Sequence, residues 1–394
     1  MHRFLSLVAL TLASPLLAPC VVAEEGARAD SDLSKLVAPV PASSKAGQDQ
    51  AREEAVVPQG DYKRREGRWK FPWYVSDPVN KIYSNWVPFW ATDSGAMPGP
   101  EDYEGWLKKR EEKNSIASMA ALKKKLLDEF SPTINEIEVN GVRILEIVPK
   151  EVTSPDSVVL YTHPGGMYAQ TADGLLIDAV PMATVLKARV WNVDYTKIPG
   201  PPKGFSYKDQ VNEFIGIYKH LIEEKGIKPE NVGWYSCSAG STIALAAVNE
   251  ISNQGLPTIG AFSPNAGVYD WNVAGDTWLT LEGQDPVVSA KHYIEPLVAM
   301  MKIDPTDPYY SPVYDKFENR EWPPTLFFVG SREDMASDGF RMNQLLKYAG
   351  HDSEVIVFDG VPHCWASIYY SPEAKHYRNL VADFMREKGV LTGE

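Results

Sequence analysis

Ser238 has the surroundings that a nucleophilic serine requires. An apolar segment, 231–237, runs directly into it, and the small residues Ala239 and Gly240 follow before an alanine-rich segment. This pattern predicts a strand, a tight turn and a helix, which together would lift the serine hydroxyl above the edge of a sheet. Ser236 occupies the first position of the usual G-x-S-x-G pattern and is small enough for the same turn. We therefore predict that Ser238 attacks a carbonyl carbon in an acyl-transfer reaction.

A glycine-rich segment upstream of the serine could stabilise the charge that such an attack creates. Pro164, Gly165 and Gly166 follow an apolar run that ends at Tyr161. Acyl transfer passes through a tetrahedral oxyanion, which is bound best by preorganised backbone N–H groups. Proline has no N–H, so the predicted oxyanion-hole donors are the amides of Gly165, Gly166 and Ala239.

His363 is the candidate general base. It lies just after the last predicted strand, 354–358, on a loop from which an imidazole could reach the serine from above the sheet. The chain has seven histidines. His163 belongs to the glycine-rich segment, and the others lie in the N-terminal leader, on predicted helices or at helix ends. The sequence therefore favours His363 as the group that takes the serine proton.

Three carboxylates could orient that histidine. Glu333, Asp334 and Asp338 all follow the predicted strand 325–329. Asp338 is predicted to be the N-cap of the next helix, where a short acidic side chain meets free N–H groups. Glu333 and Asp334 are adjacent, so they are not expected both to face one imidazole. The chemistry of the residues leaves these two open.

Alternating strands and helices must position these residues. After a hairpin centred on Asn140 and Gly141, the pattern predicts β-α units to the end of the chain, and hence a mostly parallel sheet with helices on both faces. Segment 268–314 interrupts the alternation and is predicted to be a cap insertion that shapes a substrate pocket. The predicted strands are 157–161, 189–195, 231–237, 258–263, 325–329 and 354–358, and the predicted helices are 173–186, 207–224, 239–254, 338–348 and 372–388.

The N-terminus has the composition of an export signal. Residues 1–23 combine a weakly basic start, an apolar run and small residues before Glu24. This pattern predicts a secretory signal peptide that is cleaved near Ala23, so the protein is expected to be secreted or periplasmic. Cys20 leaves a lipoprotein as the alternative.

Three further regions follow the predicted signal peptide. Residues 24–60 are predicted to be a flexible leader, because they have no sustained apolar period. Residues 61–130 are rich in tryptophan and tyrosine and end in a predicted helix, 116–130. They form either a cap over an apolar pocket or a layer packed onto the core. Residues 131–394 are predicted to be the catalytic domain.

Composition and missing motifs exclude several classes of function. The net charge of −13 argues against a nucleic-acid partner. No other segment approaches the ~20 apolar residues of a membrane-spanning helix. No metal-ligand or nucleotide-binding motif is present, so we predict no metal and no cofactor. Two cysteines, Cys237 and Cys364, would remain after cleavage, either as buried thiols or as a bridge.

The motifs, in this order along the chain, resemble those of the bacterial hormone-sensitive-lipase-like esterases of the α/β-hydrolase superfamily, including their lactone-hydrolysing relatives. The resemblance extends from about residue 132 to the end of the chain. The matching segments are His163-Pro164-Gly165-Gly166 for H-G-G-G, Val193-Asp194-Tyr195 with Pro199 for V-D-Y-R-x-x-P, Ser236-Cys237-Ser238-Ala239-Gly240 for G-x-S-A-G, and Val361-Pro362-His363 for M-P-H.

The resemblance implies an α/β-hydrolase fold and a cofactor-free hydrolase with Ser238 as nucleophile and His363 as base. It also bears on the acid, because many relatives read G-x-x-[D/E] after the corresponding strand. Counted from Gly330, that register favours Glu333 over Asp334.

The predicted function is that of a serine carboxylesterase acting on small to medium esters with an apolar face. A lactonase, which would open a cyclic ester by the same chemistry, is the alternative. A third hypothesis, of a different functional class, is a catalytically inactive ligand-binding protein of the same fold. The expected partner is a small-molecule ester or lactone, and the oligomeric state stays open.

Overall fold

The computed structural model describes residues 75–76, 96–114, 117–200 and 204–393. The predictions for the signal peptide, for the flexible leader and for most of the aromatic-rich segment lie outside these residues. Within the described residues, no helix has both the length and the apolar character needed to cross a membrane.

Eight strands in the described part of the chain form one sheet, in the order β1-β2-β4-β3-β5-β6-β7-β8. β1 and β2 form the predicted hairpin, and Asn140 and Gly141 at its turn both have positive φ. β2 is also antiparallel to β4, whereas all other neighbours are parallel. The strands are β1 Thr133–Val139, β2 Val142–Val148, β3 Val158–Thr162, β4 Arg189–Val193, β5 Val232–Cys237, β6 Ala261–Asn265, β7 Thr325–Gly330 and β8 Ser353–Phe358.

Helices cover both faces of the sheet. The helices are α1 Tyr103–Asn114, α2 Ala117–Phe130, α3 Leu176–Leu186, α4 Tyr207–Lys219 (followed by a π-helical turn, His220–Glu224), α5 Ala239–Asn253, α6 Asp276–Thr280, α7 Glu295–Met301, α8 Ala336–Tyr348 and α9 Pro372–Glu387. On one face, α4 and α5 contribute Phe214 and Leu245 to an apolar core. On the other, α3 and α9 contribute Val180 and Val381 to a second core. The predicted fold class, a mostly parallel sheet between two layers of helices, is confirmed.

β6 lies nearer the C-terminus than predicted: the predicted strand is 258–263, whereas the observed strand is Ala261–Asn265. Proline lacks the N–H that a sheet ladder uses, so Pro264 would be expected to end the strand. In the structure the strand continues to Asn265, since it stays paired with β5: Ser236 lies beside Pro264, and Cys237 beside Asn265. This extension brings the end of β6 next to the turn that carries Ser238.

The chain leaves the sheet between β6 and β7, and this segment contains the short helices α6 and α7. It is tied to α8 by an ion pair between Asp270 and Arg341. Within the segment, the hydroxyl of Ser311 accepts a hydrogen bond from the amide of Trp271 at 2.8 Å. These polar contacts hold an otherwise irregular segment in place beside the carboxyl ends of the strands.

The predicted role of Asp338 as a helix N-cap is wrong. α8 begins at Ala336, so Asp338 lies inside its first turn. The Asp338 side chain is buried, and its Oδ2 accepts hydrogen bonds from the amides of Tyr269 and Asp270 at 2.8 and 3.0 Å. Its Oδ1 accepts a third from the indole N–H of Trp278 at 2.8 Å. The carboxyl group joins α8 to the segment after β6, a contact that local helix signals cannot reveal.

Candidate active site

Ser238 occupies the turn between β5 and α5 with an unusual backbone conformation. Its φ of 56° and ψ of −129° are rarely adopted by a residue with a side chain, and such strain costs on the order of 1–3 kcal/mol. The amide of Ser238 donates to the carbonyl of Asn265 at 2.9 Å, so β6 helps to hold the turn. Backbone strain of this kind is found where a side chain must be presented at a functional site.

The residues around this turn explain both the motif and its departure from the usual pattern. A Cβ at Gly240 would lie 2.1 Å from the carbonyl oxygen of Thr162, so α5 packs directly against the end of β3. At Ser236 the structure accommodates a side chain, and its hydroxyl lies within hydrogen-bond distance of the Ser241 hydroxyl, at 3.0 Å. The Ser241 hydroxyl in turn donates to the carbonyl of Asn265 at 2.8 Å. The extra side chain at Ser236 is therefore hydrogen bonded rather than crowded.

The structure brings Ser238, His363 and Glu333 together. Nε2 of His363 lies 2.8 Å from Oγ of Ser238, and Nδ1 lies 3.2 Å from Oε2 of Glu333. In the tautomer that satisfies both contacts, Nδ1–H donates to the carboxylate and Nε2 accepts the serine proton. Glu333 is itself held in place, because its Oε1 accepts a hydrogen bond from the amide of Gly330 at 2.7 Å. This arrangement is the one that activates a serine for nucleophilic attack.

The two adjacent carboxylates differ in their surroundings. Both side chains are buried. Burial raises the pKa of Glu333 to about 7, although its hydrogen bond with His363 opposes the rise. Burial, together with the negative charges of Asp285 and Glu282, raises the pKa of Asp334 to about 10. Among the described residues, neither carboxyl oxygen of Asp334 has a hydrogen-bond partner. Glu333 can thus carry charge beside the imidazole, whereas Asp334 is protonated at neutral pH.

Asp285 is a residue of the site that the sequence did not reveal. It is buried in the segment after β6, and its Oδ2 accepts a hydrogen bond from the backbone amide of His363 at 3.2 Å. Its Oδ1 accepts from the amides of Val287 and Val288 at 2.7 and 3.1 Å. The second set of bonds is a local Asx turn, which the Asp-Pro sequence could have suggested. The contact with His363 joins residues that lie far apart in the chain, so no local signal predicts it.

The imidazole of His363 is surrounded by groups that favour its charged form. Burial alone would lower the pKa of His363. Contact with Cys364, the hydrogen bond to Glu333 and the charge of Asp285 outweigh burial and hold the pKa well above its ordinary value. A general base must be neutral to accept a proton, so these neighbours determine the pH at which His363 can act.

The predicted oxyanion-hole residues lie beside Ser238. Gly165 and Gly166 line the same pocket as the serine, and Ala239 is the first residue of α5, where helical amides lack a partner. Among the described residues, none accepts a hydrogen bond from these three amides. Gly166 has a φ of 63°, and a Cβ there would lie 2.1 Å from the hydroxyl of Tyr293. Three backbone donors without a partner among the described residues therefore lie near Ser238, two of them on a loop that requires glycine.

Two elements support the glycine loop from behind. The hydroxyl of Tyr195 donates to the carbonyl of His163 at 3.1 Å, and the two rings stack with centroids 4.4 Å apart. From α1, Arg110 donates from Nε to the carbonyl of Tyr168 at 2.6 Å. The guanidinium also donates to the carbonyl of Pro199 at 2.6 Å. These bonds fix the loop that carries Gly165 and Gly166 relative to the sheet.

The pocket over Ser238 has a volume of about 600 Å³ including its open mouth. Its wall contains both apolar and polar side chains. The apolar side chains are Leu175, Ile177, Val287 and Val288, and the polar ones include Lys113, Gln170, Tyr293 and Ser367. In the described part of the chain, no carboxylate lines this pocket.

Comparison with known proteins agrees with this architecture. Residues 159–367 match the family described as alpha/beta hydrolase fold, and they include the glycine loop, Ser238, Glu333 and His363. Versiconal hemiacetal acetate esterase of Dothistroma septosporum is 23% identical over 280 residues, which cover 67% of this chain and 83% of that protein.

Solved structures of esterases share the fold. The crystal structure of esterase E25 aligns with a TM-score of 0.71 and 21% identity over 80% of this chain and 95% of that one. An esterase from the bacterial hormone-sensitive lipase family aligns with a TM-score of 0.61 and 22% identity, covering 72% of this chain and 96% of that one. The chain therefore belongs to the alpha/beta hydrolase fold family, and the resemblance that its motifs indicate is confirmed.

Proposed function

We propose that this protein is a serine carboxylic-ester hydrolase that works outside the cytoplasm after loss of residues 1–23. The observation that carries the proposal is the chain of contacts from Ser238 through His363 to Glu333, at 2.8 and 3.2 Å. The relatives reported above that are named esterases support the same type of reaction.

In the proposed reaction each group has a role that its position supports. Ser238 attacks the ester carbonyl while Nε2 of His363 takes its proton, and the ionised Glu333 stabilises the imidazolium. The amides of Gly165, Gly166 and Ala239 bind the oxyanion of the tetrahedral intermediate; one such donor is worth roughly 3 kcal/mol in other serine hydrolases. The imidazolium then protonates the leaving alcohol, and water hydrolyses the acyl-enzyme by the same steps.

The pocket indicates the type of ester. Its apolar side chains suit a short hydrocarbon group. Among the polar lining residues, Lys113 has its ammonium 3.3 Å from the hydroxyl of Tyr293 and 5.0 Å from the ring centroid of Tyr168. Lys113 is among the residues that line the pocket, and a positive charge in the pocket wall attracts a negatively charged group of a bound ester. We infer a substrate that combines an apolar part with an acidic group.

The test of the proposed reaction uses the purified full chain and 4-nitrophenyl esters of increasing acyl length, with simple lactones in parallel. We expect saturable hydrolysis that is fastest for short and medium acyl chains. We also expect a phosphonate ester reagent to add one phosphonyl group, found by mass spectrometry on the peptide that contains Ser238. Lactone opening without ester hydrolysis would favour the lactonase. Absence of both activities and of labelling would favour the inactive ligand-binding protein.

Replacement of Lys113 by methionine tests the preference for acidic esters. We expect kcat/KM for monoethyl glutarate and 4-carboxyphenyl butanoate to fall about tenfold relative to ethyl pentanoate and phenyl butanoate, because loss of one favourable charge contact is worth about 1.4 kcal/mol. Hydrolysis is followed by titration of the released acid at constant pH.

Lys108 provides the matched control for this experiment. It lies on the same helix as Lys113, with its side chain 80% exposed beside Glu112. Lys108→Met changes the net charge equally but should leave the ratio of acidic to neutral substrates unchanged. An equal effect of both variants, or none from Lys113→Met, would show that Lys113 does not select the substrate.

A further inference from the structure

The two cysteines in the described part of the chain lie on either side of the proposed site. Cys237 is the last residue of β5 and directly precedes Ser238, whereas Cys364 directly follows His363. Their sulfur atoms are 3.6 Å apart, although the residues are separated by 127 positions in the chain. The pair therefore connects the turn that carries the proposed nucleophile with the loop that carries the proposed base.

The two thiols differ in how they can react. Cys237 is buried, with 5% of its surface exposed, whereas Cys364 is half-buried and lines the pocket over Ser238. Contact with Cys237, and then the charge of His363, outweigh burial and hold the pKa of Cys364 well below its ordinary value. The same contact with Cys364, reinforced by burial, raises the pKa of Cys237. A reagent in the pocket thus meets the thiol that ionises more readily, and the second thiol lies directly behind it.

We propose that Cys237 and Cys364 form a disulfide, and that the cross-linked protein is the working form of the enzyme. The oxidant is a small disulfide: its sulfur–sulfur bond breaks as the Cys364 thiolate attacks one sulfur and expels the other as a thiolate. Cys237, deprotonated, then attacks Cys364 in the mixed disulfide and expels the second thiolate. The pair loses two electrons and two protons, and the oxidant becomes two thiols. Export, as the N-terminal sequence predicts, would bring the pair into an oxidising compartment.

The cross-link would also change the charge around the proposed base. In the reduced form, negative charge on Cys364 favours the imidazolium of the adjacent His363, and an imidazolium cannot accept the serine proton. A disulfide carries no charge, so oxidation removes this effect and leaves Glu333 and Asp285 as the charged groups that face the imidazole. The neutral base then persists to lower pH. This part of the inference rests on the proposed function, because it needs His363 to act as a base.

The cross-link itself is tested without any measurement of activity. The full chain is incubated with oxidised glutathione, unfolded with an alkylating reagent, and digested without reduction. We expect a disulfide-linked pair of peptides containing Cys237 and Cys364. Its mass should be lower by two hydrogen atoms than the summed masses of the two peptides with free thiols. Cys20→Ala serves as the background, since it removes the remaining cysteine of the chain. Full alkylation of both thiols after this treatment would overturn the proposal, even for a protein that hydrolyses no ester.

The role of the cross-link is tested by pH–rate profiles of the oxidised and reduced protein. Reduction should move the acid limb of kcat/KM to higher pH by about one unit, and so lower the rate about tenfold at pH values below both limbs. A variant with Cys237→Ala and Cys364→Ala should show no response to the reductant and keep its acid limb at the lower pH. An acid limb that stays in place when the cross-link of the Cys20→Ala protein is reduced would contradict the proposed working form.

Discussion

Ser238→Ala is expected to reduce kcat/KM for 4-nitrophenyl esters by about 10⁴- to 10⁶-fold, because removal of the nucleophile of a serine hydrolase eliminates acyl-enzyme formation. The glycine loop and the pocket stay intact in this variant, so substrate binding should change little. Rates are measured with substrate in excess, and the phosphonate reagent should no longer add mass to the protein.

The loss must be separated from unfolding. Alanine must adopt the same positive φ as Ser238, so the variant keeps the strained turn, and its melting temperature should lie within a few degrees of the wild type. Ser236→Gly is the matched control, because it restores the usual first glycine of the motif and removes only the hydrogen bond to Ser241. We expect its activity within a few-fold of the wild type. An undiminished rate in Ser238→Ala would refute the proposed serine mechanism.

The sheet and the order of the proposed site residues could be predicted because each depends on local patterns. Apolar runs followed by glycine, serine or acidic residues mark strands that end at a functional edge, and in a parallel sheet those ends lie on the same side. Ser238, Gly165 and His363 each follow such a strand, so their meeting is a consequence of topology. The tight turn at Ser238 could also be predicted, because only small residues fit beside it and the sequence has small residues there.

Other parts of the site could not be predicted, because they depend on contacts between distant segments. Asp285 reaches His363 from the segment after β6, which has no periodic pattern. Asp338 looks like a helix cap in sequence but is buried against Tyr269 and Trp278. Lys113 joins the pocket from α1, upstream of all the motifs that the sequence analysis recognised. In each case packing between segments, rather than local preference, decides where the side chain lies.

Glu333→Gln should greatly reduce kcat whereas Asp334→Asn should leave it nearly unchanged, although the two residues are adjacent. In Glu333→Gln the imidazole loses the charge that stabilises its protonated form and holds its tautomer, so kcat should fall by about 10²- to 10⁴-fold. Asp334 is already neutral at pH 7, because burial and then Asp285 and Glu282 raise its pKa to about 10. An amide of the same shape should therefore leave kcat within a few-fold of the wild type.

The pH dependence of the melting temperature gives an independent test of the protonation state of Asp334. The folded protein keeps the proton of Asp334 up to a pKa of about 10, whereas the unfolded chain releases it near the ordinary value of 3.8. Between these values ionisation favours the unfolded chain, and the carboxyl destabilises the fold increasingly as pH rises. Asp334→Asn removes this penalty, so its melting temperature at pH 8 should exceed that of the wild type, and the difference should shrink towards pH 4. If Asp334→Asn instead caused the larger loss of kcat with no gain in melting temperature, Asp334 rather than Glu333 would be the acid that orients His363.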